Sequence, residues 1–92
     1  MTVIELLRGI VGGSITEAQF AEDFFRLFGV PGNSDAETEC LNELIDDINM
    51  AEHVGPLFTK DFLWEVEGCL RLLSEGASPT EIRKFFATNP AP

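Results

Sequence analysis

The apolar residues of this chain recur at the spacing of amphipathic helices. In the first segment, Val3, Leu6, Leu7, Ile10 and Val11 follow the helical period, and four later segments repeat it. No segment shows the sustained alternation of apolar and polar residues that indicates a β-strand. The pattern therefore predicts an all-α protein: a small antiparallel four-helix bundle with an additional short C-terminal helix.

Capping and glycine signals place the ends of the five predicted helices. Four of the five begin at a Ser or Thr that is followed three residues later by Glu or Gln, the spacing of a capping box. Residues 1–92 are expected to form a single helical domain in which residues 88–92 fray. The first predicted helix begins at Thr2 and ends before Gly12-Gly13, and the second begins at Thr16 and ends before Gly29. The third begins at Ser34 and ends near Glu52, the fourth begins near Thr59 and ends at Glu75, and the fifth begins at Ser78 and ends before Asn89-Pro90.

Each predicted helix has one face that is expected to be buried. Within the fourth helix, a close helix crossing would explain Gly68, which costs about 1 kcal/mol relative to Ala. Cys40 and Cys69 lie within helical patterns and are predicted to be reduced and buried. Beyond the first helix, the residues predicted to face inward are Phe20, Ala21, Phe24, Phe25, Leu27, Phe28, Leu41, Leu44, Ile45, Ile48, Ala51, Phe62, Val66, Cys69, Leu70, Leu73, Ile82, Phe85 and Phe86.

Length and charge narrow the class of protein. The chain has 92 residues, enough for one modest core, and its 16 acidic and 6 basic residues give a formal net charge of −10. Such a surface repels phosphate backbones and anionic membranes, so we expect no direct nucleic-acid partner and no membrane partner, whereas a basic protein suits it. No apolar run approaches the roughly 20 residues of a membrane span, and the N-terminus lacks the basic region of a signal peptide. These features predict a cytoplasmic protein.

Residues suited to catalysis or metal binding are scarce. The one histidine, His53, lies at the predicted end of the third helix, and no nucleophile accompanies it at a suitable spacing. The two cysteines and this histidine match none of the spacings typical of zinc sites. We therefore expect no enzymatic activity, no metal and no cofactor.

The acidic residues are unevenly distributed along the chain. Residues 27–59 contain no Lys or Arg but seven acidic residues. Of these, Glu39, Glu43, Asp46 and Asp47 have the spacing of one face on the outside of the third helix, and their like-charged i,i+4 pairs cost about 0.2–0.5 kcal/mol each. The face is either a solvated surface that maintains solubility or a docking surface for a basic protein. We favour docking because it would explain why the helix tolerates the repulsion between these like charges.

An aromatic residue adds to this candidate docking surface. Trp64 falls off the inward stripe of its helix, and an exposed tryptophan is a common anchor in protein interfaces. The predicted partner-binding residues are therefore Glu39, Glu43, Asp46, Asp47, Glu52 and Trp64.

Three parts of the sequence resemble one protein family. The first part combines Ile4-Glu5-Leu6-Leu7 with Gly13-Ser14-Ile15-Thr16-Glu17-Ala18-Gln19-Phe20, the second is Leu41-Asn42-Glu43-Leu44-Ile45-Asp46-Asp47-Ile48, and the third is Phe62-Leu63-Trp64-Glu65-Val66-Glu67-Gly68-Cys69-Leu70. They are similar to the capped N-terminal helices, the acidic third helix and the last core helix of the colicin D-type immunity proteins. The resemblance spans residues 3–74, and the helix predicted from Ser78 and the short turn at Gly55-Pro56 depart from the family pattern.

This resemblance implies a helical-bundle inhibitor. Members of the family bind a basic nuclease toxin domain that cleaves tRNA in the anticodon loop, and the acidic inhibitor occupies the region where the RNA backbone would lie. In this chain, Glu43, Asp46 and Asp47 are the positions that match the acidic third helix of the family.

Together, the charge pattern and the resemblance lead to one hypothesis with one alternative. The hypothesis is a cytoplasmic immunity protein that binds a basic nuclease toxin domain as a 1:1 heterodimer and blocks its active site with an acidic helix face. The alternative is an acidic helical adaptor, or a regulator that mimics nucleic acid, bound to another basic protein. The two differ in whether the partner is a nuclease that the chain inhibits.

Overall fold

Five helices make up the described part of the chain. The computed structural model describes residues 2–28 and 30–89, apart from the side chains of Glu52 and Val54. Within these residues there is no strand, and the prediction of an all-α protein with a short C-terminal helix is confirmed. The helices are α1 (Val3–Val11), α2 (Glu17–Phe28), α3 (Asp35–Val54), α4 (Lys60–Ser74) and α5 (Pro79–Thr88).

The predicted caps begin these helices. The Thr2 hydroxyl accepts a hydrogen bond from the Glu5 backbone N–H, and Ser34 and Ser78 each form a complete capping box with the glutamate three residues later. Helix α3 continues to Val54, two residues beyond its predicted end. At the other end of the chain, Asn89 caps α5, while residues 90–92 of the predicted frayed tail lie outside the described residues.

The helices surround one apolar core. α1 packs against α2 and α4, and α3 packs against α2, α4 and α5. Phe20 links three parts of this core, because its ring lies 5.7 Å from the rings of Phe24 and Phe62 and 6.0 Å from that of Phe58. These tilted and edge-on arrangements are the ones that aromatic rings favour.

The predicted inward positions are buried or partly buried, except for two that are exposed. Val11 is 48% exposed and Phe25 46% exposed. Val11 is the last residue of α1, which Gly12 caps, and Phe25 meets the core residue Phe24 edge-on. In α4, Leu72 lies in the core, whereas the predicted Leu70 and Leu73 are partly buried at its edge.

The loop between α3 and α4 is held by a carboxylate from a distant helix. The two oxygens of Glu17, in the first turn of α2, accept hydrogen bonds from the backbone N–H groups of Leu57 and Phe58 at 3.2 and 3.0 Å. These two bonds satisfy backbone N–H groups of the loop that have no partner within a helix, and they place Leu57 and Phe58 against the core.

Helix α5 docks on α3 and α4 through apolar and charged contacts. Ile82 is buried in the core, and Phe85 and Phe86 lie over Gly68 of α4. A Cβ atom at Gly68 would meet both phenylalanine rings at 3.4 Å, so the side chains of α5, and not the predicted close crossing of helices, occupy the space above this glycine.

Both cysteines lie in the core as free thiols, as predicted. A hydrogen bond with Cys40, followed by burial, raises the pKa of the Cys69 thiol well above its usual range. A thiol in this environment is unreactive, because the thiolate is the reactive form.

Among the described helices, none is long and apolar enough to cross a membrane.

The close approach at Gly68 predicts how this position responds to substitution. Gly68→Val should lower the free energy of unfolding by about 1–3 kcal/mol, because its branched side chain overpacks the contact with Phe85 and Phe86. The fluorescence of Trp64, the one tryptophan of the chain, should report the displacement of α5 directly, since its ring stacks on Phe85. Gly68→Ala is the matched control and should stay within about 1 kcal/mol of the wild type. Equal stability of the two variants would contradict the contact.

Candidate functional site

The structure covers part of the acidic face that the sequence placed on the outside of the third helix. Asp46 is exposed, but Glu39, Glu43 and Asp47 are only partly exposed. The cause is tertiary: α4 and α5 both pack against α3. The fifth predicted acidic residue, Glu52, has its side chain outside the described residues.

Glu39 forms an ion pair inside the molecule. Its Oε1 accepts a hydrogen bond from Nε of Arg83 in α5 at 3.0 Å, and only 14% of the Glu39 side chain is exposed. Because one partner is well covered, this pair holds α5 to α3 more effectively than a fully exposed pair would. Glu39 therefore has a structural role, and its charge is already compensated.

Glu43 lies one turn further along α3 among other acidic groups. Burial raises the pKa of its carboxyl, and the charge and hydrogen bonding of Glu39 and the charge of Asp46 raise it further, while Arg83 acts in the opposite direction. Glu43 thus accepts a proton more readily than an ordinary surface glutamate.

Glu65 of α4 is the functional candidate that the sequence reasoning missed. Burial, followed by its hydrogen bond with Asp47 and the charges of Asp47, Glu43 and Asp61, raises the pKa of the Glu65 carboxyl to about 8. Its Oε2 atom is buried and meets no donor within the described part of the chain. A protonated Glu65 can donate its O–H to the Asp47 carboxylate, which removes the repulsion between the two groups.

These carboxylates form one surface, which we call the acidic ridge and define as Glu43, Asp46, Asp47, Asp61 and Glu65. No residue of the ridge takes part in an ion pair among the described residues; the pairs present are those of Arg26, Arg71 and Arg83 with other carboxylates. The ridge therefore offers closely spaced acceptors to an external cation.

Trp64, the predicted aromatic anchor, is partly buried beside this ridge. Its ring stacks on Phe85 at 5.8 Å with an interplanar angle of 19°, and it meets Phe86 edge-on at 6.1 Å. The rest of the side chain borders two surface clefts, one shared with Asp61 and the other with Arg71. Trp64 thus supports α5 and still presents some aromatic surface to solvent.

The geometry gives little support for acid–base catalysis at the ridge. The cleft beside Asp47 measures about 210 Å³, and the described residues in its other walls, chiefly Met50, Pro56, Leu57 and Phe62, include no second carboxylate. Glycosidase-like chemistry needs two carboxyl groups facing each other across a substrate cleft. His53 is exposed, and across residues 2–28 and 30–89 no group of three or more His, Cys, Asp or Glu side chains is arranged to hold a metal ion.

In comparisons with known proteins, the chain matches no family model, no curated protein and no solved structure. The resemblance to the colicin D-type immunity proteins therefore stays a prediction from the sequence.

Glu65 predicts a specific dependence of stability on pH. Its pKa is about 8 in the folded protein against 4.5 for an unperturbed glutamate, so the folded state binds one more proton between these values. The free energy of unfolding should then fall as the pH rises from about 5 to 9. Glu65→Gln keeps a donor for Asp47 and removes the titration, so it should flatten this dependence and, after allowance for solvent screening, stabilise the protein by about 1–2 kcal/mol at pH 9.

Urea denaturation at several pH values measures this effect. The matched control is Glu67→Gln, which removes an exposed carboxylate from the same helix and should leave the slope against pH unchanged. If Glu65→Gln and the wild type lose stability in parallel from pH 5 to 9, Glu65 does not hold a proton in the folded state.

Proposed function

We propose that this chain is an immunity protein that binds a basic nuclease toxin domain and blocks its active site with the acidic ridge. The observation that carries the proposal is the ridge itself: five carboxyl groups from α3 and α4 that form no ion pair among the described residues. An ordinary exposed helix surface mixes charges of both signs and gains stability from the pairs. This surface instead keeps its carboxylates available.

The charge distribution supports a basic protein as the partner. The formal net charge of −10 steers a basic protein towards the chain, and such steering raises association rates to about 10⁸ M⁻¹s⁻¹ or more at low salt. A nuclease needs Lys and Arg to hold the phosphates of its RNA substrate. Carboxylates presented by packed helices can occupy those cations and exclude the RNA, which is how inhibition would arise.

The ridge residues contribute to this binding in different ways. Asp46 and Asp61 are exposed and can meet a cation without any change in the fold. Glu43 and Asp47 are partly buried, so cations that reach them become desolvated and the pairs strengthen. Glu65 holds a proton and pairs with a cation only after it releases this proton. Truncating one partner of such a buried pair typically costs about 2–5 kcal/mol of binding free energy.

Charge reversal on the exposed part of the ridge tests the proposal. The double variant Asp46→Lys with Asp61→Lys should bind the toxin domain at least tenfold more weakly, because two attractive contacts become repulsive. Its melting temperature should stay close to that of the wild type, since neither side chain is buried. The matched control is Asp35→Lys with Glu75→Lys, which changes the net charge equally at exposed positions away from the ridge, and Asp35 lies in the first turn of α3 as Asp61 does in that of α4. Equal loss of binding in both double variants would show that net charge, and not the ridge, determines recognition.

The partner itself is identified by capture and assay. The tagged chain is used for affinity capture at low salt from its native cells, and each stoichiometric basic protein is purified and tested for RNA cleavage. The proposal requires a nuclease whose activity stops when the chain is added back, and it requires the Asp46→Lys, Asp61→Lys variant to inhibit less well than its control. A transcription regulator or polymerase subunit without nuclease activity would favour the adaptor alternative and overturn the immunity function.

A further inference from the structure

Two adjoining clefts lie at the C-terminal end of α3. One is the cleft of about 210 Å³ beside Asp47, and the other, of about 190 Å³, is bordered by Glu17 at the start of α2. Ala51, Gly55 and Leu57 line both clefts, which makes them neighbours. We call this pair of clefts the Leu57 groove.

The loop after α3 gives the groove a fixed shape. Gly55, which caps α3, has φ 130° and ψ −157°, a backbone conformation that is essentially restricted to glycine. The following residues are held by Glu17, whose carboxylate accepts hydrogen bonds from the backbone N–H groups of Leu57 and Phe58. The Leu57 side chain is thereby kept buried between these elements. The groove is therefore built from a helix end and a restrained loop.

Much of the groove wall is apolar surface that faces solvent. Met50 is 59% exposed, the highest value among the large apolar residues described, and Pro56 and Ala18 are exposed as well. Contiguous apolar surface of this kind marks interaction sites on proteins. Methionine is frequent on such surfaces, because its flexible side chain adapts to a partner.

The size of each cleft indicates what it can hold. Sites for drug-sized molecules measure about 300–1,000 Å³, and each of the two clefts is smaller. Clefts of this size in protein interfaces take single anchor side chains from the partner. The groove therefore suits two neighbouring apolar side chains of one protein segment.

The charges around the groove indicate which residues should flank those side chains. Asp47 borders one cleft and Glu17 the other, and neither forms an ion pair among the described residues. No Lys or Arg is among the described residues that line the groove, and Lys60 lines a separate cleft. The C-terminal end of the α3 dipole also favours a cation, and His53 is the basic residue of its last turn. A segment with Lys or Arg beside its apolar side chains is complementary to this surface.

We propose that the Leu57 groove binds a segment of a basic protein, which places one apolar side chain in each cleft and Lys or Arg side chains beside Asp47 and Glu17. Asp47 also belongs to the acidic ridge, so the groove extends the proposed docking surface with apolar contacts. Anchors in desolvated pockets carry much of the binding energy of an interface, whereas charges mainly set the association rate. The groove therefore slows dissociation of the partner. Only the identity of this partner with the protein bound by the ridge rests on the proposed function.

Short peptides test the groove without the partner. Acetyl-leucyl-lysine amide is titrated into the ¹⁵N-labelled chain at constant ionic strength, and the backbone amide signals are followed by NMR. Saturable shifts are expected at Ala51, Gly55 and Leu57, with a dissociation constant on the order of millimolar for so small a ligand. Acetyl-leucyl-glutamate amide lacks the cation and acetyl-glycyl-lysine amide lacks the apolar side chain, so both should bind several-fold more weakly.

A substitution at Ala51 closes the groove while keeping the helix. Ala51→Leu projects a larger side chain into both clefts, and leucine forms helices almost as well as alanine. This variant should melt close to the wild type and lose the shifts caused by the leucyl-lysine peptide. The matched control is Asn42→Leu, which adds the same side chain at an exposed position of α3 outside the groove and should bind like the wild type. If Ala51→Leu fails to fold, Met50→Gln at its exposed position should weaken binding several-fold and decides the question.

Kinetics with the partner isolated by capture separate this inference from the proposed function. Ala51→Leu should raise the dissociation rate about tenfold and leave the association rate nearly unchanged, whereas Asp46→Lys with Asp61→Lys should mainly lower the association rate. An unchanged dissociation rate in Ala51→Leu would overturn the groove as a docking site and leave the ridge proposal standing. A partner without nuclease activity that still dissociates faster from Ala51→Leu would overturn the immunity function and support the groove.

Three other results would overturn the inference. They are the absence of saturable shifts in the wild type, equal binding of the leucyl-lysine and leucyl-glutamate peptides, and equal binding of the leucyl-lysine peptide by Ala51→Leu and Asn42→Leu. Sedimentation velocity of the wild type adds a further check. A dimer that Ala51→Leu abolishes would assign the groove to a second copy of this chain instead of a basic partner.

Discussion

Helix α4 must bury Phe62, Val66, Cys69 and Leu72 at once, and this face is too wide for a single neighbour to cover. α1 and α3 cover most of it, Phe20 reaches it from α2, and α5 closes over it at a glycine. The exposed residues of α4 are all polar. The position of every other helix follows from this need to enclose α4 within a chain of modest size.

The same constraint produces the unusual electrostatics of the molecule. Glu65 lies three residues after Phe62 and four before Cys69, so it shares the face of α4 that carries these buried residues, and α3 packs against this helix. Partial burial disfavours its charged form, and the nearby Asp47 disfavours it again. One proton shared between the two carboxyl groups relieves the repulsion that the packing imposes. The ridge is therefore a consequence of helix packing as much as of acidic composition.

The distribution of ion pairs separates structural from available carboxylates. Arg83 neutralises the charge of Glu39, and this ion pair holds α5 against α3. Both carboxylate oxygens of Glu17 accept hydrogen bonds from backbone N–H groups of the loop between α3 and α4. The ridge carboxyl groups form no ion pair within the described residues, although an uncompensated buried charge is costly. Closely spaced carboxyl groups on α3 and α4 suit a basic partner, which gains affinity and orientation together from several contacts.

The sequence by itself determined the features that arise within three or four residues. Helix starts at Thr2, Ser34 and Ser78 were predictable because a capping side chain bonds to the backbone of the same turn. The apolar stripes and the excess of acidic residues were equally predictable, since periodicity and charge are properties of the sequence itself. The small errors at Val11 and Phe25 come from the same source: helical periodicity shows that a residue can face inward, not that a neighbour covers it.

The tertiary structure alone decided which acidic residues are exposed and which are held. Glu39 and Arg83 are 44 positions apart, and Glu17 is 40 positions from Leu57, so no local pattern joins them. Glu65 looked ordinary in the sequence because its pKa is raised first by burial against other helices and then by Asp47 of α3. Hydrogen bonds and repulsion between carboxyl groups act over a few ångströms, and only the packing of distant segments brings these groups within that range.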